Sequence, residues 1–128
     1  MKFLLSLLFS MSLLVPSYNP KAEAVKKISE IKGNYRIVVV FGYWCKDSQK
    51  HVPEFLKVMW KSENSNIKYK LIPIPRTRKH PIRDKYKIER VPTFIVYKDG
   101  KEIGRIIEHP KKTIEEDLVE IFTKGFGS

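Results

Sequence analysis

Cys45 is the only cysteine of the 128-residue chain, and it stands within the segment 42–48 (GYWCKDS). An apolar run over residues 36–42 precedes it, and a helical apolar pattern follows it. A thiol at the start of a helix meets unpaired backbone N–H groups and the positive end of the helix dipole, which favour the thiolate. Open α/β sheets often place their sites at the carboxyl ends of strands. The sequence therefore predicts that Cys45 is a nucleophile.

The three histidines have no metal-ligand spacing with Cys45, so neither a metal ion nor a cofactor is predicted. His51 is expected to face solvent on a helix, and His80 is expected to belong to a basic loop. Glu108 and His109 follow the last predicted strand, where the fold could bring them towards Cys45. We therefore consider a supporting role for this pair.

Three elements should position the thiol. Apolar residues at helical spacing predict a leading helix over residues 25–32. The β-branched run 36–42 predicts a central strand that is buried on both faces. A second helical face covers residues 52–60, and Pro53 inside it should kink this helix or remove one of its hydrogen bonds.

The second half of the chain predicts a hairpin and a closing helix. Asp99-Gly100 is a hairpin signal, and Thr113 with Glu116 forms a capping box before a last apolar helical face. The remaining predicted elements are a strand at 67–75, a basic loop at 76–90 with one helical turn near 82–86, and strands at 92–97 and 102–108. This order of elements predicts an α/β sandwich in which a parallel strand pair is followed by an antiparallel hairpin.

Four short motifs resemble the thioredoxin superfamily, and the resemblance covers residues 25–124. In chain order they are Trp44-Cys45-x-x-Ser48, Pro53, Val91-Pro92-Thr93 and Lys98-Asp99-Gly100. The resemblance implies a thioredoxin-like sandwich, with a central mixed four-stranded sheet (βαβ then ββα) flanked by helices.

The resemblance also implies roles for individual residues. Cys45 matches the attacking cysteine of the family, and Trp44 matches the aromatic residue beside it. Pro92 matches the proline whose preceding peptide bond is typically cis. Val91, with Pro92 and Thr93, would then offer backbone groups to an extended substrate segment.

Two positions depart from the family pattern. Ser48 stands where thioredoxins carry the resolving cysteine, so no intramolecular disulfide can form. Val39 stands where many thioredoxins carry a buried aspartate, so that proton-transfer group is missing. A single thiol can still form a mixed disulfide, which an external thiol or a substrate cysteine then releases. Ser48 is interpreted either as a hydrogen-bond partner that lowers the pKa of Cys45 or as an ordinary polar residue of the first helical turn.

The first 24 residues resemble an export signal. Lys2 is followed by the apolar run 3–15, and Ala22-Glu23-Ala24 suits a signal-peptidase cut that leaves the domain 25–128. The run is shorter than the roughly 18 residues of a membrane span, and an uncleaved anchor is the alternative. We therefore expect a periplasmic or secreted protein.

The formal net charge of +11 favours anionic partners. The densest basic patch, residues 76–83, has no interleaved aromatic residues, so nucleic-acid binding is not expected. A monomer is expected, and a membrane would be contacted only through an uncleaved signal segment.

Two functions remain open at the level of sequence, and with them whether the chain is an enzyme. The first is thiol–disulfide exchange through Cys45 with a protein thiol or disulfide substrate, or with an external thiol reductant. The second is a redox-inactive binding module for a protein partner in the cell envelope. A glutathione-dependent function is disfavoured, because residues 46 and 47 are not the Gly-Phe pair of monothiol glutaredoxins.

Overall fold

The computed structural model describes residues 18–124. The apolar run 3–15 of the predicted signal lies outside these residues, so the cleaved signal and the domain boundary at residue 25 stay predictions. Within residues 18–124, no helix combines the length and apolar character needed to cross a membrane.

Within residues 18–124, four helices and four strands follow one another in the expected order. The helices are α1 (Ala22–Ser29), α2 (Lys46–Ser62), α3 (Pro81–Tyr86) and α4 (Ile114–Lys124). The strands are β1 (Tyr35–Phe41), β2 (Ile67–Pro73), β3 (Thr93–Lys98) and β4 (Lys101–Ile107).

The strands form one mixed sheet in the order β2-β1-β3-β4. Strand β1 pairs in parallel with β2 and antiparallel with β3, and β3 pairs antiparallel with β4. Helix α2 supplies the crossover that a parallel pair requires. The predicted mixed four-stranded sheet flanked by helices is therefore confirmed.

Local turn and capping chemistry explains where two of the elements begin. Asp99 and Gly100 adopt φ values of +51° and +81°, which suit the tight connection between β3 and β4. Thr113 Oγ1 accepts a hydrogen bond from the backbone N–H of Glu116 at 3.1 Å, which fixes the start of α4.

The main core lies on one face of the sheet, beneath α1, α2 and α4. Strand β1 sends Ile37 and Val39 into this core, whereas Val38 and Val40 face the opposite side. The short helix α3 and its flanking loops cover only part of that opposite side. The continuous apolar run of β1 is thus explained by burial on both faces.

The first helix begins earlier than predicted and is preceded by a docked segment. Helix α1 starts at Ala22, and the backbone N–H of Lys21 donates to Glu115 Oε2 at 2.8 Å. The hydroxyl of Tyr18 donates to Glu115 Oε1, and the Nζ of Lys57 donates to the carbonyl of Tyr18. Residues 18–21 are therefore held against α2 and α4.

The expectation that His51 faces solvent is wrong. His51 and Glu54 are each only 7% exposed, and Nδ1 of His51 lies 2.8 Å from Oε1 of Glu54. Helix α2 packs against α1 and α4 as well as the sheet, so its buried surface is wider than one apolar stripe. The helix also continues through Pro53 to Ser62.

Candidate functional site

The thiol of Cys45 lies at the N-cap of α2, directly after the loop that leaves β1. The cysteine has extended backbone angles, and its carbonyl already accepts a hydrogen bond from Gln49 N–H at 2.9 Å. The side chain is half-buried, and its Sγ donates to the carbonyl of Val91 at 3.4 Å. Cys45 therefore stands at the start of the helix, where the sequence predicts it, and its side chain makes no capping hydrogen bond to the helix.

The loop before β3 lies beside this thiol. The Val91–Pro92 peptide bond is cis, and both residues are buried. The hydroxyl of Thr93 donates to the carbonyl of Arg90 at 2.6 Å, and the N–H of Glu108 donates to the carbonyl of Pro92 at 2.7 Å. Val91 thus contacts Cys45, while Pro92 and Thr93 take part in the bonds that fix the loop.

Trp44 forms a partly exposed wall next to the cysteine. The residue is 38% exposed, and its Nε1 donates to the carbonyl of Ile74 at 3.0 Å. The guanidinium of Arg76 lies 5.7 Å from the ring centroid, within cation–π distance. The indole also covers Gly42, where a Cβ atom would lie 2.6 Å from the indole nitrogen. Trp44 is therefore fixed by contacts from three directions.

Ser48 is almost fully buried, and its Oγ accepts a hydrogen bond from the N–H of Gly42 at 3.2 Å. Within residues 18–124, no hydrogen bond joins Ser48 to Cys45. The serine instead ties the first turn of α2 to the end of β1, which corresponds to the second of its two interpretations. Val39 is completely buried in the main core.

Glu108 and His109 follow directly after β4, next to the loop that contains Pro92. Glu108 pairs with Arg90 at 3.1 Å and with His109 at 3.7 Å. Neither residue hydrogen-bonds Cys45 within the described part of the chain. Their contacts hold the loop and do not extend to the sulfur.

Three residues of the site were missed by the sequence analysis. Gly42 gives Trp44 its space, Ile74 accepts the indole N–H, and Arg76 lies over the ring. Glycine directly before Tyr-Trp-Cys was the available signal for the first. Ile74 acts through a backbone carbonyl, which the identity of a residue cannot reveal.

The histidines do not form a metal centre with the thiol. Among residues 18–124, no group of three or more His, Cys, Asp and Glu side chains is arranged to hold a metal ion. His80 acts structurally, because its Nδ1 accepts the N–H of Ile82 at the start of α3.

The chain folds as a mixed βαβ–ββα sandwich with a thiol at the N-terminus of the helix after β1. A loop with a cis proline lies against this thiol, and these features together define a thioredoxin-fold protein. The family model described as thioredoxin matches residues 10–121, which is most of the chain. The chain belongs to the thioredoxin family.

Relatives of known sequence are also thioredoxins. The chain is similar to thioredoxin Y1, chloroplastic, of Arabidopsis thaliana, with 40% identity over 70 residues. That match covers 54% of this chain and 38% of the relative, so the chain spans little more than a third of it. Putative thioredoxin-5 of Dictyostelium discoideum is 26% identical over 75% of this chain and 90% of its own length.

Solved structures share the fold. Fasciola hepatica thioredoxin is 25% identical with a TM-score of 0.56, covering 81% of this chain and 92% of its own. A Pseudomonas aeruginosa protein of unknown function is 16% identical with a TM-score of 0.62, covering 94% of this chain and 80% of its own. Membership of this family associates the chain with redox-type thiol–disulfide function in general.

Proposed function

We propose that the protein is exported and exchanges disulfides with protein substrates through Cys45 alone. The observation that carries this proposal is the position of the thiol. Cys45 is half-buried at the start of α2, and its Sγ contacts the backbone of Val91, next to the cis bond to Pro92. A substrate segment that pairs with Val91 would therefore bring its disulfide towards the sulfur.

The exchange begins when Cys45 loses its proton to solvent. The thiolate attacks one sulfur of a substrate disulfide, a new sulfur–sulfur bond forms, and the second substrate sulfur leaves as a thiolate. Deprotonation also ends the hydrogen bond from Sγ to the Val91 carbonyl. That carbonyl then becomes available to an N–H of the substrate.

A second thiol must release the mixed disulfide, because Cys45 has no partner cysteine in the chain. When a substrate cysteine attacks, the substrate disulfide is rearranged and no electrons are gained or lost overall. When an external small thiol attacks and a second external thiol follows, the substrate is reduced by two electrons and the external pair is oxidised. In either route, Cys45 is regenerated as a thiolate.

The pH dependence of Cys45 alkylation tests this proposal. We expect Cys45, at the start of α2, to be alkylated faster at neutral pH than an exposed cysteine elsewhere in the chain. A matched control places the thiol elsewhere, in the variant Cys45→Ala/Ser65→Cys, because Ser65 is exposed in a turn. Equal alkylation profiles for the two proteins would remove the basis for an activated nucleophile.

Substitution of the two motif positions gives a second test. Cys45→Ala should abolish exchange with a disulfide substrate. Ser48→Cys should create dithiol reductase activity, because it supplies the resolving thiol at the family position. A reactive wild type combined with an inert Ser48→Cys variant would contradict the assignment.

The geometry of Ser48 favours one alternative, a redox-inactive binding module. Its hydroxyl accepts the Gly42 N–H, and no hydrogen bond joins it to the sulfur of Cys45 within residues 18–124. In that case a partner would bind the Trp44 and Val91 surface without covalent chemistry. Capture of the same partner by wild type and by Cys45→Ala, with equal affinity, would support the module over the exchange protein.

Export is tested independently of the chemistry. We expect the full chain to reach the periplasm or the medium, and a variant lacking residues 2–15 to stay in the cytoplasm. N-terminal sequencing of the exported product would locate the cut and would distinguish cleavage from anchoring.

A further inference from the structure

A second concave surface lies on the sheet face that α3 covers only in part. It is a depression of about 670 Å³, within the range of ligand-binding clefts. We call six of its charged and aromatic lining residues the basic groove. It consists of Arg36, Lys68, Lys70, Lys85, Tyr86 and Tyr97.

The strand register explains how the basic groove is built. Arg36 in β1 is paired with Lys68 in β2 and with Tyr97 in β3. Lys70 follows Lys68 by two residues, so both lysines point to the same face of the sheet. The groove lies at the start of β1, whereas Cys45 follows the end of that strand, and the rise of the strand from Arg36 to Phe41 alone is about 17 Å.

Within the described residues, no ion pair neutralises the cations of the basic groove; the carboxylate of Glu102 lies beside Tyr97 at its border and is paired with Arg105. Arg36, Lys68, Lys70 and Lys85 are all exposed, and none of them forms an ion pair within residues 18–124. No carboxylate residue lines the depression. A concave surface with one sign of charge concentrates ligands of the opposite sign.

The groove borders a sheet edge. Strand β2 is the last strand of the sheet, and its outer side pairs with no strand among residues 18–124. Such an edge offers backbone N–H and C=O groups to an added strand. A second copy of this chain is a poor occupant, because Lys68 and Lys70 would then face the lysines of the copy.

We propose that an extended acidic segment of a partner protein adds to the outer edge of β2 and places alternate carboxylates over the basic groove. Side chains of a strand alternate between faces, so every second residue of the segment meets Lys68, Lys70 and Arg36. The residues of the segment that point to the other face of the sheet need not be acidic. This site goes beyond the proposed exchange function and does not involve Cys45.

An edge strand distinguishes this partner from other anions. The N–H and C=O groups at the edge of β2 can pair with the backbone of a peptide, whereas a phosphate chain has no N–H donors to offer them. Helix α3, which carries Lys85 and Tyr86, also closes one side of the depression, so it is a cleft and not an open track. These features favour a peptide over a nucleic acid or a lipid surface.

The test uses the full-length protein with Cys45→Ser, so that its result is independent of the exchange proposal. The probe is a capped nonapeptide of alternating threonine and glutamate, and the control probe has the same composition with its glutamates in one block. We expect the alternating peptide to bind at least about fivefold more tightly. It should also slow amide hydrogen exchange in residues 67–73. Equal binding of the two peptides, or no binding at about 1 mM, would overturn the proposal.

A charge-matched pair of variants locates the site. Lys68→Gln/Lys70→Gln should weaken binding of the alternating peptide by about fivefold or more. The control Lys26→Gln/Lys50→Gln removes two exposed lysines from helices outside the groove and should leave the affinity unchanged. Equal losses in both variants would show that only net charge matters. Tighter binding of a nine-nucleotide oligothymidylate than of the alternating peptide would also contradict the proposal.

Discussion

Gly42 is the residue on which the shape of the thiol site depends most directly. Its missing side chain leaves room for the indole of Trp44, whose Nε1 reaches the carbonyl of Ile74. A methyl group at position 42 would occupy the volume of the indole ring. Glycine is therefore required here for close packing, and the requirement arises from the neighbouring side chain.

We predict that Gly42→Ala displaces Trp44 and lowers the free energy of unfolding by about 1–3 kcal/mol. The displacement is measured by fluorescence of Trp44 in a Trp60→Phe background, because Trp60 is 71% exposed and would obscure the signal. The same Gly42→Ala substitution in a Trp44→Ala chain should lower the free energy of unfolding much less. An equal cost in both chains would mean that the indole is not the obstacle.

Ser48 illustrates a second residue whose role depends on burial. Because its hydroxyl satisfies the Gly42 N–H in a buried position, Ser48→Ala should lower the free energy of unfolding by about 1–3 kcal/mol. Denaturant unfolding measures this change. Thr123→Ala, at an exposed position near the end of α4, is the control and should have little effect. A stable Ser48→Ala chain with changed Cys45 alkylation would instead point to a role at the sulfur.

At the level of elements, α3 is held by side chains from outside the helix. None of its residues is buried, and Arg105 Nη1 donates to the carbonyls of Tyr86 and Lys87 at 3.1 and 3.2 Å. The same guanidinium holds the pKa of Glu102 below its usual value through a side-chain hydrogen bond. Strand β4 therefore positions the C-terminal end of α3.

We predict that Arg105→Lys increases amide hydrogen exchange in residues 81–90. The single ammonium group of a lysine cannot replace the planar guanidinium, whose several N–H groups bind Glu102 and the two carbonyls at once. Exchange in β1 should not change. The Glu102 bond should contribute to stability above the ordinary pKa of 4.5 and be lost as pH falls through the lowered folded pKa. An acid titration of stability that is identical in wild type and Arg105→Lys would contradict this assignment.

Elements with local signals were predictable from the sequence. The Asp99-Gly100 hairpin, the Thr113 cap and the buried run of β1 each depend on neighbours in the chain. The position of His51 was not predictable, because α2 packs against α1 and α4 as well as the sheet, and no local pattern indicates those contacts. The contacts of Ile74 and Arg76 with Trp44 likewise join residues about 30 positions apart, and no local pattern marks them.

At the scale of the whole molecule, Glu115 connects the beginning of the described chain to its last helix. This carboxylate is 1% exposed and accepts hydrogen bonds from Tyr18 and from the backbone of Lys21. The predicted cut after Ala24 would remove both donors. The buried carboxylate would then lose its partners, which is costly inside a protein.

We therefore predict that a chain of residues 18–128 is more stable than one of residues 25–128, by about 2 kcal/mol or more. Denaturant unfolding of the two chains measures the difference. The comparison is repeated with Glu115→Gln, which should reduce the gap because a neutral amide costs less to leave unpaired. A gap of zero would show that residues 18–24 contribute nothing to the fold.

The hydroxyl of Tyr18 makes this contact sensitive to alkaline pH. Burial, followed by the nearby Glu115 carboxylate, raises the pKa of Tyr18 above its ordinary value of 10.0. A group whose pKa is raised in the folded state stabilises the fold fully at pH values below its unfolded pKa. This stabilisation is lost as the pH rises from the unfolded pKa through the folded pKa. The stability advantage of wild type over Tyr18→Phe should thus be largest below pH 9 and shrink above about pH 10. An advantage that grows with pH would contradict this linkage.

The presence of a single cysteine has a further consequence, which concerns concentration. A protein with two active-site cysteines can store its oxidised state within one molecule, at a ratio that dilution does not change. Every disulfide of Cys45 joins two molecules, so the fraction of the protein that is in a disulfide follows mass action and falls on dilution. Crowding of chains or substrates in one compartment would therefore set the oxidised fraction of this protein as directly as the redox potential does.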